Sequence, residues 1–97
     1  MDDDESPDEV VLPIEDHIDL HAFAPKDVRS VVASYLEAAL DAGFREVRII
    51  HGRGRGVQRA SIRAVLSRDP RVLAYRDAEP GRGGWGATLV RLRDPDV

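Results

Sequence analysis

From residue 17 the chain reads "HIDLH", with Ile18 and Leu20 on one side and His17, Asp19 and His21 on the other. That period of two is the mark of a half-buried strand. Pro25 is a good first helical residue, and Val28, Val31, Val32, Tyr35, Leu36, Ala39 and Leu40 then follow the spacing of one helical face, with Gly43 as the stop. "EVRII" (46–50) is short and rich in β-branched residues, as a buried strand is. It runs straight into "HGRGRG" (51–56). A second helix is predicted from about Val57 to Arg68, with Val57, Ser61, Ile62, Val65 and Leu66 as its inward stripe and "DP" at 69–70 closing it. "RVLAYRDA" (71–78) and "GATLVRL" (86–92) read as two strands, joined by "EPGRGGWG", which is too rich in glycine to be regular.

The predicted order is therefore β-α-β-α-β-β. Strand, helix, strand implies a parallel crossover, and the terminal strand pair implies an antiparallel addition. The fold class expected is α/β, a two-layer sandwich with a mixed four-stranded sheet and two helices on one face. Two parallel first strands would end at the same edge, bringing Asp19 and His21 towards His51 and the glycine loop, where ligands of open α/β sheets bind.

Upstream the pattern fails. Residues 1–9, "MDDDESPDE", carry too little apolar surface to order themselves, and Pro13 in "VVLPI" (10–14) argues against a central strand. Residues 1–14 are thus expected to be a flexible acidic tail and residues 15–97 one domain, since 97 residues support a single modest core.

Charge sharpens this division. The net charge of −4 sums two opposed segments: residues 1–16 hold eight acids and no base, and residues 17–97 hold ten acids against fourteen bases. Within 44–93, twelve arginines face only Glu46, Asp69, Asp77 and Glu79. Guanidinium suits bidentate phosphate contact, although a preference for arginine over lysine is also a signature of GC-rich coding. A tethered acidic tail should compete with phosphate for such a surface. The chain lacks cysteine, which excludes disulfides and thiolate metal sites and fits a reducing compartment. Its start is acidic rather than basic and then apolar, and it has no apolar run of spanning length. The expectation is a cytoplasmic monomer without a membrane segment.

Three stretches could carry chemistry. A glycine-rich turn before a helix leaves backbone N–H groups free at the positive end of the helix dipole, a place for an anion. "HGRGRG" has that form but lacks the lysine and hydroxyl of a P-loop and the acidic partner of a dinucleotide fingerprint, so no nucleotide cofactor is expected. The plainer alternative is a tight turn with Arg53 and Arg55 solvated. Asp19 could orient His21 for proton transfer near neutral pH; spacing alone favours an ordinary surface pair. His17 reads as a solvent-facing residue, and a zinc site from His17, Asp19 and His21 would need a further ligand from elsewhere. Trp85, with Arg82 beside it in the last glycine loop, suits either base stacking or a cap on the core.

Taken together, "IDLHA", "HGRGRG" and "GWGATLV" resemble the small MutS-related (Smr) domain family, whose marks are an L-D-L-H-G segment, an H-G-x-G-x-G or T-G-x-G loop and a terminal G-x-G-A-T-x-x-V segment, in that order. The resemblance covers roughly residues 17–93, with Ala22 standing at the family's glycine. It implies a nucleic-acid-binding domain with endonuclease activity on DNA or structured RNA, in a setting of DNA repair or recombination. It carries catalysis to Asp19 and His21, and substrate binding or catalysis to His51, Gly52, Gly54 and Gly56. His51 is expected to protonate the leaving oxygen or to hold a phosphate, and Arg53, Arg55, Arg59, Arg82 and Trp85 to contact nucleic acid. One carboxylate is few for a two-metal site, so any metal requirement is expected to be a single Mg²⁺. The alternatives are a non-catalytic DNA- or RNA-binding module and a protein-interaction domain.

Overall fold

The computed structural model describes residues 14–52, 57–82 and 84–94, apart from the side chains of Val57 and Trp85. Four strands make one mixed sheet: β1 (His17–Asp19), β2 (Glu46–Ile50), β3 (Val72–Asp77) and β4 (Ala87–Leu92), in the spatial order β1-β2-β4-β3. β1 pairs parallel with β2, His17 opposite Arg48 and Asp19 opposite Ile50. β4 runs antiparallel to both of its neighbours, so the last strand of the chain lies inside the sheet between β2 and β3.

The strand β1 is shorter than its alternation predicts. The Asp19 carboxylate accepts the backbone N–H of His21 at 2.9 Å and draws the chain into a 3-10 turn, Leu20–Ala22. A local side-chain bond has taken the place of the next rung of the ladder. A second 3-10 turn, Pro25–Asp27, leads into α1 (Val28–Asp41) with Pro25 at its start. Val28, Val32, Tyr35, Leu36 and Ala39 form the buried face of α1. The helix ends in a Schellman arrangement: Phe44 N–H donates to the Ala39 carbonyl and Gly43 N–H to the Leu40 carbonyl, both at 3.0 Å, with Gly43 at φ +94°.

The second helix, α2 (Val57–Ser67), turns Ile62 and Leu66 inward, whereas Ser61, expected on the inner stripe, is exposed. Both helices share one core cluster with Val47, Ile49, Val90 and Leu92 of the sheet, and so lie on the same face. Leu36 and Ile62 are fully enclosed there; truncating either to alanine costs about 2–5 kcal/mol. The opposite face of the sheet stays open, with Arg76 and Arg91 exposed. A register shift between Val72 and Ala74 leaves Leu73 54% exposed, a bulge that returns Tyr75 to the core side. The connection after β3 is more regular than its glycines suggest: it holds two 3-10 turns, Pro80–Arg82 and Gly84–Gly86.

Candidate active site

Parallel pairing brings the ends of β1 and β2 to one edge of the sheet. There the capping bond that stops β1 also turns His21 towards its own cap, so that His21 Nδ1 lies 2.6 Å from Asp19 Oδ1. The pair is formed by the turn rather than by two residues of one strand. Asp19 accepts two hydrogen bonds from His21, and the backbone N–H contributes most to holding its carboxyl below the usual range, followed by the ring. Both side chains are open to solvent, at 56% and 64% exposure, so a polymer can reach them. With Nδ1–H donating to Asp19, the Nε2 lone pair of His21 points away from the carboxylate. That is the tautomer a general base requires.

Nε2 faces the start of the glycine loop. A Cβ built on Gly52 would stand 2.8 Å from His21 Nε2 and 3.2 Å from Cε1, and the backbone there has φ +83°. The left-handed conformation favours glycine at this position, and a Cβ there would displace the His21 ring. The N–H groups of His51 and Gly52 donate to the Gly86 carbonyl at 3.0 and 2.9 Å, tying the loop to the Gly84–Gly86 turn that precedes β4. The three stretches singled out in the sequence thus converge on one edge. Ala22, at the family's glycine position, lies in the 3-10 turn, a conformation open to any residue.

His51 lies inside the fold rather than on the open edge beside His21. Its ring is buried at 5% exposure, with Nδ1 3.0 Å from the Gly52 carbonyl and Nε2 2.9 Å from Thr88 Oγ1. A carbonyl only accepts, so Nδ1–H donates to it and Nε2 accepts from the Thr88 hydroxyl. Burial pushes the His51 pKa down, against the smaller raising effect of the Gly52 carbonyl. Neither nitrogen is left to protonate a leaving oxygen or to hold a phosphate. His51 instead pins the loop to β4.

Arg59, expected on nucleic acid, is held through Nε and an NH2 group to Asp77 Oδ1 at 3.2 and 2.8 Å. Arg63 donates to the same oxygen at 2.6 Å and stacks over the Tyr75 ring, 5.3 Å from its centroid. Two guanidiniums share one carboxylate, and the hydrogen bond from Arg59 leads in lowering the Asp77 pKa. Arg82 is exposed, and its carbonyl accepts from Arg48 at 3.1 Å. Arg53, Gly54, Arg55, Gly56 and the side chain of Trp85 lie outside the described residues. His17 makes its contacts to Glu15 and Asp16, at 3.5 and 3.2 Å. Among the described residues no group of three His, Cys, Asp or Glu side chains could hold a metal. Asp19, the single carboxylate beside His21, is already engaged by it.

Sequence reasoning missed Thr88, Gly86, Asp77 and Arg63. A hydroxyl in line with the inward Val90 and Leu92 was the available signal for Thr88, since such a group must find a partner inside. Asp77 had a weaker one, as a rare acid among the arginines of 44–93.

The family model described as the Smr domain matches residues 18–93. The endonuclease MutS2 of Caldicellulosiruptor saccharolyticus is 44% identical over 77 residues, covering 79% of this chain and 10% of that protein. That of Thermus thermophilus is 41% identical over 76 residues, covering 78% and 10%. The chain thus spans about a tenth of the length of the curated relatives it matches. Among solved structures, the Smr domain of Thermus thermophilus MutS2 superposes with a TM-score of 0.76 at 39% identity, covering 81% of this chain and 99% of that one. YdaL, a stand-alone small MutS-related protein from Escherichia coli, gives 0.76 at 34% identity, covering 84% and 66%.

Proposed function

The chain belongs to the Smr domain family, and from that premise we propose that it binds nucleic acid and cleaves phosphodiester bonds at the Asp19–His21 edge. The observation that carries the reading is the geometry of His21, with one ring nitrogen 2.6 Å from Asp19 and the other over Gly52. His21 Nε2 takes a proton from water or from a ribose 2′-hydroxyl, and the oxygen so freed attacks phosphorus. The bond to the leaving oxygen breaks, its electron pair stays on that oxygen, and solvent supplies the proton at this exposed edge. Arg53, Arg55 and the positive N-terminal end of α2, which begins at Val57, would stabilise the charge added in the transition state. Among the described residues the carboxylate beside His21 is that of Asp19, which its ring already engages.

A second reading, a binding module without catalysis, draws on His51, whose two nitrogens are both engaged and so are not free to act as the acid opposite His21. Cleavage of supercoiled plasmid and of a structured RNA, each with Mg²⁺ and with EDTA, separates the two. A nuclease loses turnover in Asp19→Ala/His21→Ala and keeps its affinity. Salt-sensitive retention of nucleic acid with no cleavage by wild type supports the binding module, and absence of any affinity rejects both.

A further inference from the structure

Both helices start at the edge where β1 and β2 end, because each follows one of those strands. Between their starts lies a recess of about 340 Å³, lined by Lys26, Gln58 and Ser61 among others. Arg29, Ala64 and Val65 carry it on into a larger groove of about 670 Å³ that ends at Arg68 and Arg71. One cleft thus runs from the His21 edge across the helix face. Its charge is nearly all of one sign. Lys26, Arg29 and Arg68 are exposed, and among the described residues no carboxylate pairs with them. The one acid in the lining, Asp69, is held by Arg71 at 2.8 Å. The open sheet face differs: its recess beside Arg48, Arg76 and Arg82 also holds Asp16, Glu46 and Glu79, and Glu46 lies 3.8 Å from Arg76. A polyanion therefore meets less competition in the cleft than on the sheet. Ala33, Ala64, Val65 and Pro70 give the cleft an apolar floor.

Given that nucleic acid reaches the Asp19–His21 edge, as proposed, we infer that this cleft holds an unpaired strand of it, with phosphates on Lys26, Arg29 and Arg68 and bases against the floor. Grooves that take single strands combine cations that follow the backbone with a surface that covers the bases. A duplex turns its bases inward and offers the rim only phosphates, which leaves the floor uncovered. From Gln58 to Arg68 the helix α2 rises about 15 Å, the length of about four nucleotides at about 3.4 Å per phosphate of one strand. Three cations serve that length. No aromatic ring is in the lining, so bases are sheltered there without being read.

Fluorescence anisotropy of the full chain with a labelled oligothymidylate, an oligouridylate and a blunt duplex of the same length, each over a salt series, tests this. Arg29→Gln/Arg68→Gln removes two exposed cations. The slope of log affinity against log salt should fall by about 1.4 for the single strands, at about 0.7 per phosphate contact, and by less for the duplex. Arg76→Gln/Arg91→Gln on the sheet face is the control and should leave the slope unchanged. All four side chains are exposed, so both variants should unfold in urea as the wild type does. An unchanged slope in Arg29→Gln/Arg68→Gln, with wild type still binding, would overturn the inference and leave the nuclease reading standing. A fall in the sheet-face variant instead, or an equal fall for duplex and single strand, would overturn it too. No affinity of the wild type for any of the three probes would reject it together with the reading beneath it. A wild-type dimer in sedimentation that Ala64→Arg dissociates would give the cleft to a second copy, again against the inference.

Discussion

Replacing Gly52 by alanine adds one methyl group where the loop passes under His21. The change has two separable effects. An L-residue at φ +83° pays the left-handed backbone penalty, about 1–2 kcal/mol. The new Cβ would also meet His21 Nε2 at 2.8 Å. That atom is the far end of a rotatable side chain with 64% exposure, so the ring swings away at little further cost to stability and gives up its contact with Asp19. Gly43 supplies the control, because its φ is +94° and a Cβ there meets nothing within 4 Å. Both alanine variants should lose about 1–2 kcal/mol in urea unfolding, lowering Tm by about 5–15 °C for a domain of this size. Only Gly52→Ala should shift the His21 ring resonances in NMR, and only it should slow cleavage, by about 100-fold if His21 is the general base. If Gly52→Ala matches Gly43→Ala in ring resonances and in cleavage, the close approach of the loop to His21 has no functional part.

Other outcomes follow from the same geometry. Thr88→Val removes the hydroxyl that His51 Nε2 accepts from inside the core, so it should cost about 1–3 kcal/mol, while Thr88→Ser should restore most of that in urea unfolding. The folded-state pKa of His51 lies below the ordinary imidazole value of 6.5, so the unfolded chain takes up the proton first. The stabilisation from a neutral His51 is complete above pH 6.5 and is lost as pH falls below it, a decline that His51→Asn should flatten in denaturation series across that range. Asp77→Asn removes the carboxylate charge that holds Arg63; affinity for nucleic acid should rise at low salt, with a steeper slope of log affinity against log salt, and an unchanged slope would remove this arginine from the interface.

How much was legible depended on the range of the interaction that decided each feature. The inward face of α1 could be read from spacing, since Val32, Leu36 and Ala39 recur on one side of any helix this chain forms, and Gly43 announced its end. The length of β1 could not. Alternation favoured a strand through His21, and the Asp19 carboxylate bond to the His21 N–H ended it two residues earlier. His51 misled for the converse reason: a histidine beside glycines looks exposed and reactive, and only its enclosure beside Thr88 makes it structural.

By itself the sequence determined the element order, the mixed α/β class and the separation of acidic from basic segments, all consequences of periodicity, turn chemistry and charge over short stretches. Only the tertiary structure decided that β4 enters between β2 and β3. No local pattern specifies that choice, because it depends on which edge buries more apolar surface when distant segments meet. It sets Gly86 and Thr88 against His51 and Gly52, holds the loop beneath His21, and so turns three separated stretches into one site.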